Sequence, residues 1–432
     1  MMSDVRTIRV KAMTRVEGEG ALHIRLRNGR VEEVQLNIFE PPRLFEALLR
    51  SRAIEEVPDI TARICGICPV AYQMSSVHAL EHALGVEVPA ELRRLRRLLY
   101  CGEWIESHAL HVHLLHVPDF LGYESSLALA KDFPDEVNRG LRLKKHGNQL
   151  LEVLGGRAVH PINVAVGGFY RLPRRDELTP LVSDFEWGLQ AAVDATRWIA
   201  GFDFPDFERP YDFVAVSHAD EYAMCEGPIR TSDGLVIDAV DFDQHFCEQQ
   251  VPHSTALQAV RRDTGRTYFL GPLARINLNR EQLLPVARRL AGEIGLEQPC
   301  RNPFKSILAR CIEVVQAYAE ALSILKDYRP DALARVPYEY RAAAGAAATE
   351  APRGLLYHRY EMDANGLVTT ANIVPPTSQN QSQIEDDLRD YLPAVIEQTD
   401  EQIAQACERL VRSYDPCISC STHCLKVTLE RA

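Results

Sequence analysis

The chain has 432 residues, 46% of them hydrophobic and 25% charged, with a formal net charge of −12. This is the composition of a globular protein with a large core, about three domains by length alone, and its acidity argues against a nucleic-acid partner, which needs a basic face. No apolar run reaches the roughly 18 residues of a spanning helix, Met1 to Arg6 form no signal-peptide core, and eleven mostly scattered cysteines suit a reducing compartment, so the expected location is the cytoplasm.

Residues Thr7 to Phe39 alternate. Ile8, Val10 and Ala12 face one way, Leu22, Ile24 and Leu26 repeat the pattern, and Val31, Val34, Leu36 and Ile38 resume it after the Asn28-Gly29 turn. The period of two predicts a small antiparallel sheet with hairpins over about 7–39. Arg15-Val16-Glu17-Gly18 lies within it, and taken alone a glutamate beside a glycine turn reads as a solvated charge. A short helix from Pro42 to Arg50 presents Glu46. Arg63-Ile64-Cys65-Gly66-Ile67-Cys68 follows, and Pro69 opens a helix running from Val70 to Leu84. Cys65 and Cys68 therefore sit at a helix entrance, where the backbone dipole favours thiolate over thiol.

Helical periods dominate the rest. Leu92, Leu95, Leu98, Leu99, Ile105, Val112 and Leu115 form one long stripe, and Asp135 to Leu154, Asp184 to Ile199, Arg280 to Leu296, Lys305 to Tyr328 and Gln383 to Tyr414 are amphipathic at helical spacing. Between Asp203 and Pro272 short alternating runs with Pro and Gly predict a β-containing insertion. The only biased stretch is the Ala-rich Arg341 to Ala348. The expected architecture is α+β and mainly helical, a single domain over 1–432. It comprises an N-terminal β region (about 7–39), a helical core (about 43–202 and 280–423) and the insertion (about 203–272). His108, His111, His113 and His116 share the first long helix without a His-Glu-x-x-His signature and read as structural. Cys101, Cys225, Cys247, Cys300, Cys311 and Cys407 read as small core hydrophobes. No Gly-x-Gly-x-x-Gly occurs, so no dinucleotide site is expected on this chain.

Near the other end stands Asp415-Pro416-Cys417-Ile418-Ser419-Cys420, followed by His423. One Cys-x-x-Cys is a weak signal. Two of them, one near each terminus, offer four soft sulfur ligands that only a large fold can bring together, unlike the local loops of a zinc ribbon.

These two stretches resemble the signatures of the large, catalytic subunit of nickel–iron hydrogenases. Arg15-Val16-Glu17-Gly18, Gly155-Gly156-Arg157-x-x-His160-Pro161 and Glu350-Ala351-Pro352-Arg353-Gly354 match in the expected order, so the resemblance spans essentially the whole chain. The wording from Cys68 to Ser75 is most similar to the cytoplasmic NAD(P)-linked group that includes the sulfhydrogenases. The resemblance implies that Cys65 and Cys417 are terminal nickel ligands. Cys68 and Cys420 would bridge nickel to an iron carrying carbon monoxide and two cyanides. Glu17 would relay protons, Arg353 would stand above the open metal position, and Asp119 would hold that arginine. Glu46 and His423 would bind a separate magnesium ion.

The resemblance also implies reversible cleavage of H₂ to protons and electrons. An iron–sulfur small subunit would take the electrons, and diaphorase-type subunits would carry FAD and NAD(P). A maturation protease would remove 424–432, leaving His423 as the last residue. Two positions depart from the common pattern. Tyr72 stands where many relatives have histidine, and Pro376 where many have Ser or Thr near the cyanides, with Thr377 the candidate replacement. The alternatives are polysulfide reduction on the same site and a non-catalytic, zinc-binding scaffold subunit.

Overall fold

The computed structural model describes residues 5–329 and 333–422; His423 and the predicted tail lie outside them. Strands β1 (Val5–Val10), β2 (Gly20–Arg27) and β3 (Arg30–Ile38) form an antiparallel sheet in that order. Asn28 and Gly29 join β2 to β3 with φ of 50° and 71°, the left-handed pair that matches the twist of a two-residue hairpin. Alternation does the rest: Leu22, Ile24 and Leu26 of β2 and Val34, Leu36 and Ile38 of β3 are buried on one face.

Five long helices build the centre: α1 (Pro69–Leu84), α2 (Ala90–Ala109), α3 (Pro134–Gly155), α4 (Leu181–Ala200) and α5 (Ser306–Asp327). The chain stays helical beyond α2, widening to π geometry over Leu110–His116 before Val117–Leu121. From Leu95 to Ala109 every residue of α2 is buried, charges included. Those charges are matched rather than wasted: Arg96 meets Glu81 of α1 at 2.6 and 2.8 Å. Helices α2 and α3 nearly touch, since a Cβ at Gly147 would fall 2.6 Å from the Gly102 carbonyl oxygen.

Three stretches differ from the sequence reading. Arg280 to Leu296 is not one helix. A helix at Pro272–Asn279 ends where the stretch begins, and the stretch itself holds a single turn at Arg280–Gln282 and a separate helix, Pro285–Glu293. Leu284, with φ −57° and ψ 151°, is held extended by the proline that follows it. The second difference is a sheet inside the supposed helical core: β4 (Ala343–Ala351), β5 (Gly354–Met362) and β6 (Val368–Val374), antiparallel in that order. Alanine favours helix, but small size is what this strand needs. A Cβ at Gly345 would lie 2.3 Å from Ala79 O and 2.5 Å from Ala83 N of α1. Third, Gln383 to Tyr414 divides into α6 (Pro376–Val395) and α7 (Asp400–Ser413). Thr399 accepts from Gln402 N at 3.3 Å while the Gln402 side chain accepts from Thr399 N at 3.2 Å, a reciprocal cap that starts a new helix.

The insertion holds the expected short strands, Val214–Val216, Ile229–Thr231, Val236–Ile237, Phe246–Gln249 and Gln258–Arg261. The N-terminal sheet is tied to α6, whose Glu385 accepts from Leu36 N at 2.8 Å. Among the described residues no helix is long and apolar enough to cross a membrane.

Candidate metal centre

The turn that leads into α1, the loop between β1 and β2, the turn between β4 and β5, the start of α6 and the segment after α7 converge on one buried point. Cys65 and Cys68 come from the first. Cys417 and Cys420 come from the last, where Cys417 caps the short helix Ile418–Ser421. All four sulfurs lie within 4.8 Å of one another, and all four residues are buried. Cys65 Sγ is 3.5 Å from Cys417 Sγ, Cys68 Sγ is 3.7 Å from Cys420 Sγ, and Cys417 Sγ is 2.9 Å from Cys420 Sγ. These separations are far from a disulfide bond of about 2.05 Å. Two of them are close to the spacing of about 3.8 Å for sulfurs on one tetrahedral ion with 2.3 Å bonds.

Backbone bonds close the site across nearly the whole length of the sequence. Glu17 and Cys417 form a parallel bridge, with Ile418 N donating to Glu17 O at 2.9 Å. Gly18 is required there. Its φ is 85°, and a Cβ would lie 2.6 Å from Glu40 Oε1 and 2.8 Å from Ile418 Cβ. Arg43, which the sequence did not single out, staples the two motifs together. Its Nη2 donates to Ile64 O at 2.8 Å and also to Ser419 O.

Glu17 is not the solvated charge its local context predicted. Its Oε2 accepts from Cys417 Sγ and from Ser419 N, each at 3.1 Å. Arg353, only 3% exposed, donates from Nε to Asp415 O at 2.7 Å and from Nη2 to Asp415 Oδ1 at 3.1 Å. Asp119 is therefore not the partner of Arg353. It binds Arg412 at 2.7 and 2.9 Å and Arg15 at 2.5 Å, because the widened helix after α2 carries it to the N-terminal loop and α7. The carboxylate beside Arg353 is Asp415, part of the second cysteine motif itself. Thr377 Oγ1 accepts from Cys417 N at 3.0 Å. Pro376 only opens α6, where a proline without an N–H fits. Glu46 lies half-buried with Oε1 accepting from Ile373 N at 2.7 Å; its proposed partner His423 is outside the described residues. All four histidines of the long helix are buried; His108 Nε2 meets Glu313 at 3.0 Å and His111 Nε2 meets Arg412 O at 2.8 Å.

The electrostatics call for a cation. Hydrogen bonds from Cys417 and the other thiols hold Cys65 well below the ordinary thiol range, while burial pushes Cys417 and Cys420 up. Four sulfurs this close cannot ionise together without a metal to balance them. Three buried polar atoms around them have no hydrogen-bond partner among the described residues: Arg353 Nη1, Asp415 Oδ2 and the Tyr72 hydroxyl. Open polar valences of this kind fit a centre that brings polar ligands of its own, and the all-sulfur donor set suits a soft or borderline metal.

Comparison with known proteins follows the same lines. The family model for nickel-dependent hydrogenases matches residues 43–138 and 274–423, more than half of the chain. The chain is 33% identical over 428 residues to sulfhydrogenase 1 subunit alpha of Pyrococcus furiosus, covering 97% of this chain and 98% of that one. It is 28% identical over 475 residues to the beta subunit of the NAD-reducing hydrogenase HoxS of Cupriavidus necator, covering 97% and 95%. A crystal structure of an NAD⁺-reducing [NiFe]-hydrogenase in the H₂-reduced state superposes with a TM-score of 0.88 at 25% identity, covering 97% of this chain and 99% of that one.

Proposed function

The chain belongs to the nickel-dependent hydrogenase family, and from that premise we propose how its residues divide the cleavage of dihydrogen. The protein is a hydrogenase large subunit and an oxidoreductase. Cys65, Cys68, Cys417 and Cys420 would hold the metals, with Cys65 and Cys417 as ligands to nickel alone and Cys68 and Cys420 shared with an iron that carries one carbon monoxide and two cyanides. The facing pairs at 3.5 and 3.7 Å support that division. When bound, the centre supplies the Lewis acidity and redox capacity at which H₂ separates into two protons and two electrons.

The chain's own groups handle the proton. Cys417 Sγ is the first base, and Glu17 Oε2, at 3.1 Å, takes the proton onward. Arg353 keeps Nη1 without a hydrogen-bond partner among the described residues, its plane fixed by Asp415 through two bonds and its charge acting on Cys417, Cys68 and Cys65. Thr377 orients Cys417 through its backbone N–H. Buried guanidinium charge beside the thiolates offsets their negative charge. Glu46 and His423 would hold a magnesium ion. Electrons leave to an iron–sulfur small subunit and then to FAD- and NAD(P)-bearing diaphorase subunits in the cytoplasm, after a protease has removed 424–432. The likeness to a P. furiosus sulfhydrogenase supports polysulfide as a second acceptor class.

One observation carries this reading: four buried thiols from opposite ends of the chain meet beside a carboxylate bonded to one of them. The test is an infrared spectrum, with nickel and iron analysis, of the subunit purified with its partners. One carbonyl and two cyanide bands with one nickel per large subunit are expected, the iron–sulfur partner adding its own iron to the total. Zinc alone with a blank spectrum would replace the enzyme by a scaffold. Glu17→Gln should keep the bands and lose turnover by roughly 10²- to 10⁴-fold, the worth of a positioned proton acceptor; wild-type turnover would remove Glu17 from the relay.

A further inference from the structure

We infer that Glu103, in the middle of α2, is a positioning residue for the first cysteine turn: it performs the helix cap that Cys68 cannot, because the Cys68 side chain is committed to the metal. This rests on the reading that the four cysteines hold the metal. A helix leaves its first N–H groups without partners inside the helix, and the side chain of the N-cap residue ordinarily accepts from N2 or N3. Here the N-cap is Cys68, which makes no side-chain capping bond, and N1 is Pro69, which has no N–H.

Five donors around the turn nonetheless have identified partners. Ile67 N and Cys68 N both donate to Cys65 Sγ at 3.3 Å. Tyr72 N reaches Cys68 O at 3.5 Å. The two that a cap would take, Val70 N at N2 and Ala71 N at N3, go instead to Glu103, 32 to 33 residues further along the chain. Val70 N lies 2.6 Å from Oε2, and Ala71 N lies 3.1 Å from Oε1 and 3.4 Å from Oε2. Glu103 is fully buried.

The arrangement fixes more than a helix end. Cys65 holds one side of the turn through its sulfur, and Glu103 holds the other through α2, which is clamped on both flanks by α3 and α5. The Cys68 side chain is thereby aimed at Cys420, leaving its thiolate free of any local bond to the first turn of α1. No other described side chain accepts from those two N–H groups. Loss of the acceptor leaves two buried donors unpaired next to Cys68, and the turn can satisfy them only by rotating, which carries Cys68 away from its partner.

The test uses the assembled enzyme and four variants, read by nickel content per folded subunit and by the carbonyl infrared band. Glu103→Ala should retain at most one fifth of wild-type nickel, with a shifted or broadened band in what remains. Glu103→Gln should restore nickel and a single sharp band, since one oxygen at the Oε2 position reaches both N–H groups. Glu103→Asp keeps the carboxyl but withdraws the acceptor by one methylene and should behave like Ala. If the Ala variant does not fold, the contrast between Asp and Gln decides. Glu81→Gln is the control: it weakens the other buried link between α1 and α2, the Arg96 pair, and should lower stability while leaving nickel and the band unchanged. Wild-type nickel and band in Glu103→Ala or Glu103→Asp would overturn the inference, as would an equal band shift in Glu81→Gln. Absence of carbonyl and cyanide bands from the wild type would overturn the metal reading itself.

Discussion

Two buried arginines flank the Ala351-Pro352 step, and the protein treats them in opposite ways. Arg275 spends all five of its N–H groups. Nε and Nη2 grip Glu313 at 2.7 Å, Nη1 takes Glu350 at 2.8 Å, and the Ala351 and Pro352 carbonyls accept the rest at 2.9 Å. Its plane lies 4.4 Å from the Trp104 ring centre. Arg353 makes two bonds to Asp415 and leaves Nη1 open beside the thiols. Its partner also carries strain, since Asp415 has φ 54°, an uncommon conformation for a residue with a side chain. A closed arginine cluster stores conformational specificity. An arginine held in place with one donor unspent is prepared for something that arrives later.

That contrast breaks most visibly at Arg353. Arg353→Lys keeps a positive charge near Asp415 but loses the rigid fork. Turnover of H₂ should fall at least about 100-fold, the scale seen when one preorganised donor is removed from a charged site, while nickel content and the denaturation midpoint stay near wild type. Normal turnover would mean that the open donor is incidental. Arg275→Met should do the reverse. It strands Glu313 and Glu350 with no cation, so unfolding stability should drop by about 3–5 kcal/mol, measured in denaturant. The folded fraction should keep the carbonyl band where it was. A shifted band would merge the two clusters into one functional unit.

What was legible in the sequence divides along the same line. The four cysteines, Glu17 and Arg353 stand in short runs whose spacing carries the chemistry, and the structure brings them together. Asp415 stands in the second motif, yet the resemblance gives its role to Asp119, because sequence order cannot show which of two buried carboxylates faces a given arginine. The π-widened segment after α2 turns Asp119 to Arg15 and Arg412 instead. Arg43 and Glu103 left no sequence signal. Each acts on backbone groups of a distant turn, and an arginine in a loop or a glutamate in a helix is ordinary by type. The β4–β6 sheet was missed for a related reason. Its Ala-rich first strand is selected by the closeness of α1, and a run of alanines shows neither a period of two nor one of 3.6. The N-terminal sheet was readable because Leu, Ile and Val alternate openly with charge.

The smallest expected effect separates burial from function at a third charge on α2. Glu106 follows Trp104 by two positions and pairs with Lys144 Nζ at 3.1 Å. Burial raises its carboxyl to about 7 from an ordinary 4.5, with Lys144 pulling part of the way back. The sign follows from linkage. Between pH 4.5 and 7 the unfolded chain gives up this proton while the folded chain keeps it, so stability from this group is full below 4.5 and is lost as pH rises through 7. The loss is roughly 3 kcal/mol at most. Glu106→Gln removes the titration and keeps an acceptor for Lys144, so its stability relative to wild type should climb from pH 4.5 to 7 and level off above, in denaturation series at fixed ionic strength. A flat difference across that range would place Glu106 with Arg275, a charge fully compensated by its surroundings. A rise accompanied by lost H₂ turnover would place it with Arg353, since a carboxyl kept at such a cost beside the thiolates would then be kept for its proton.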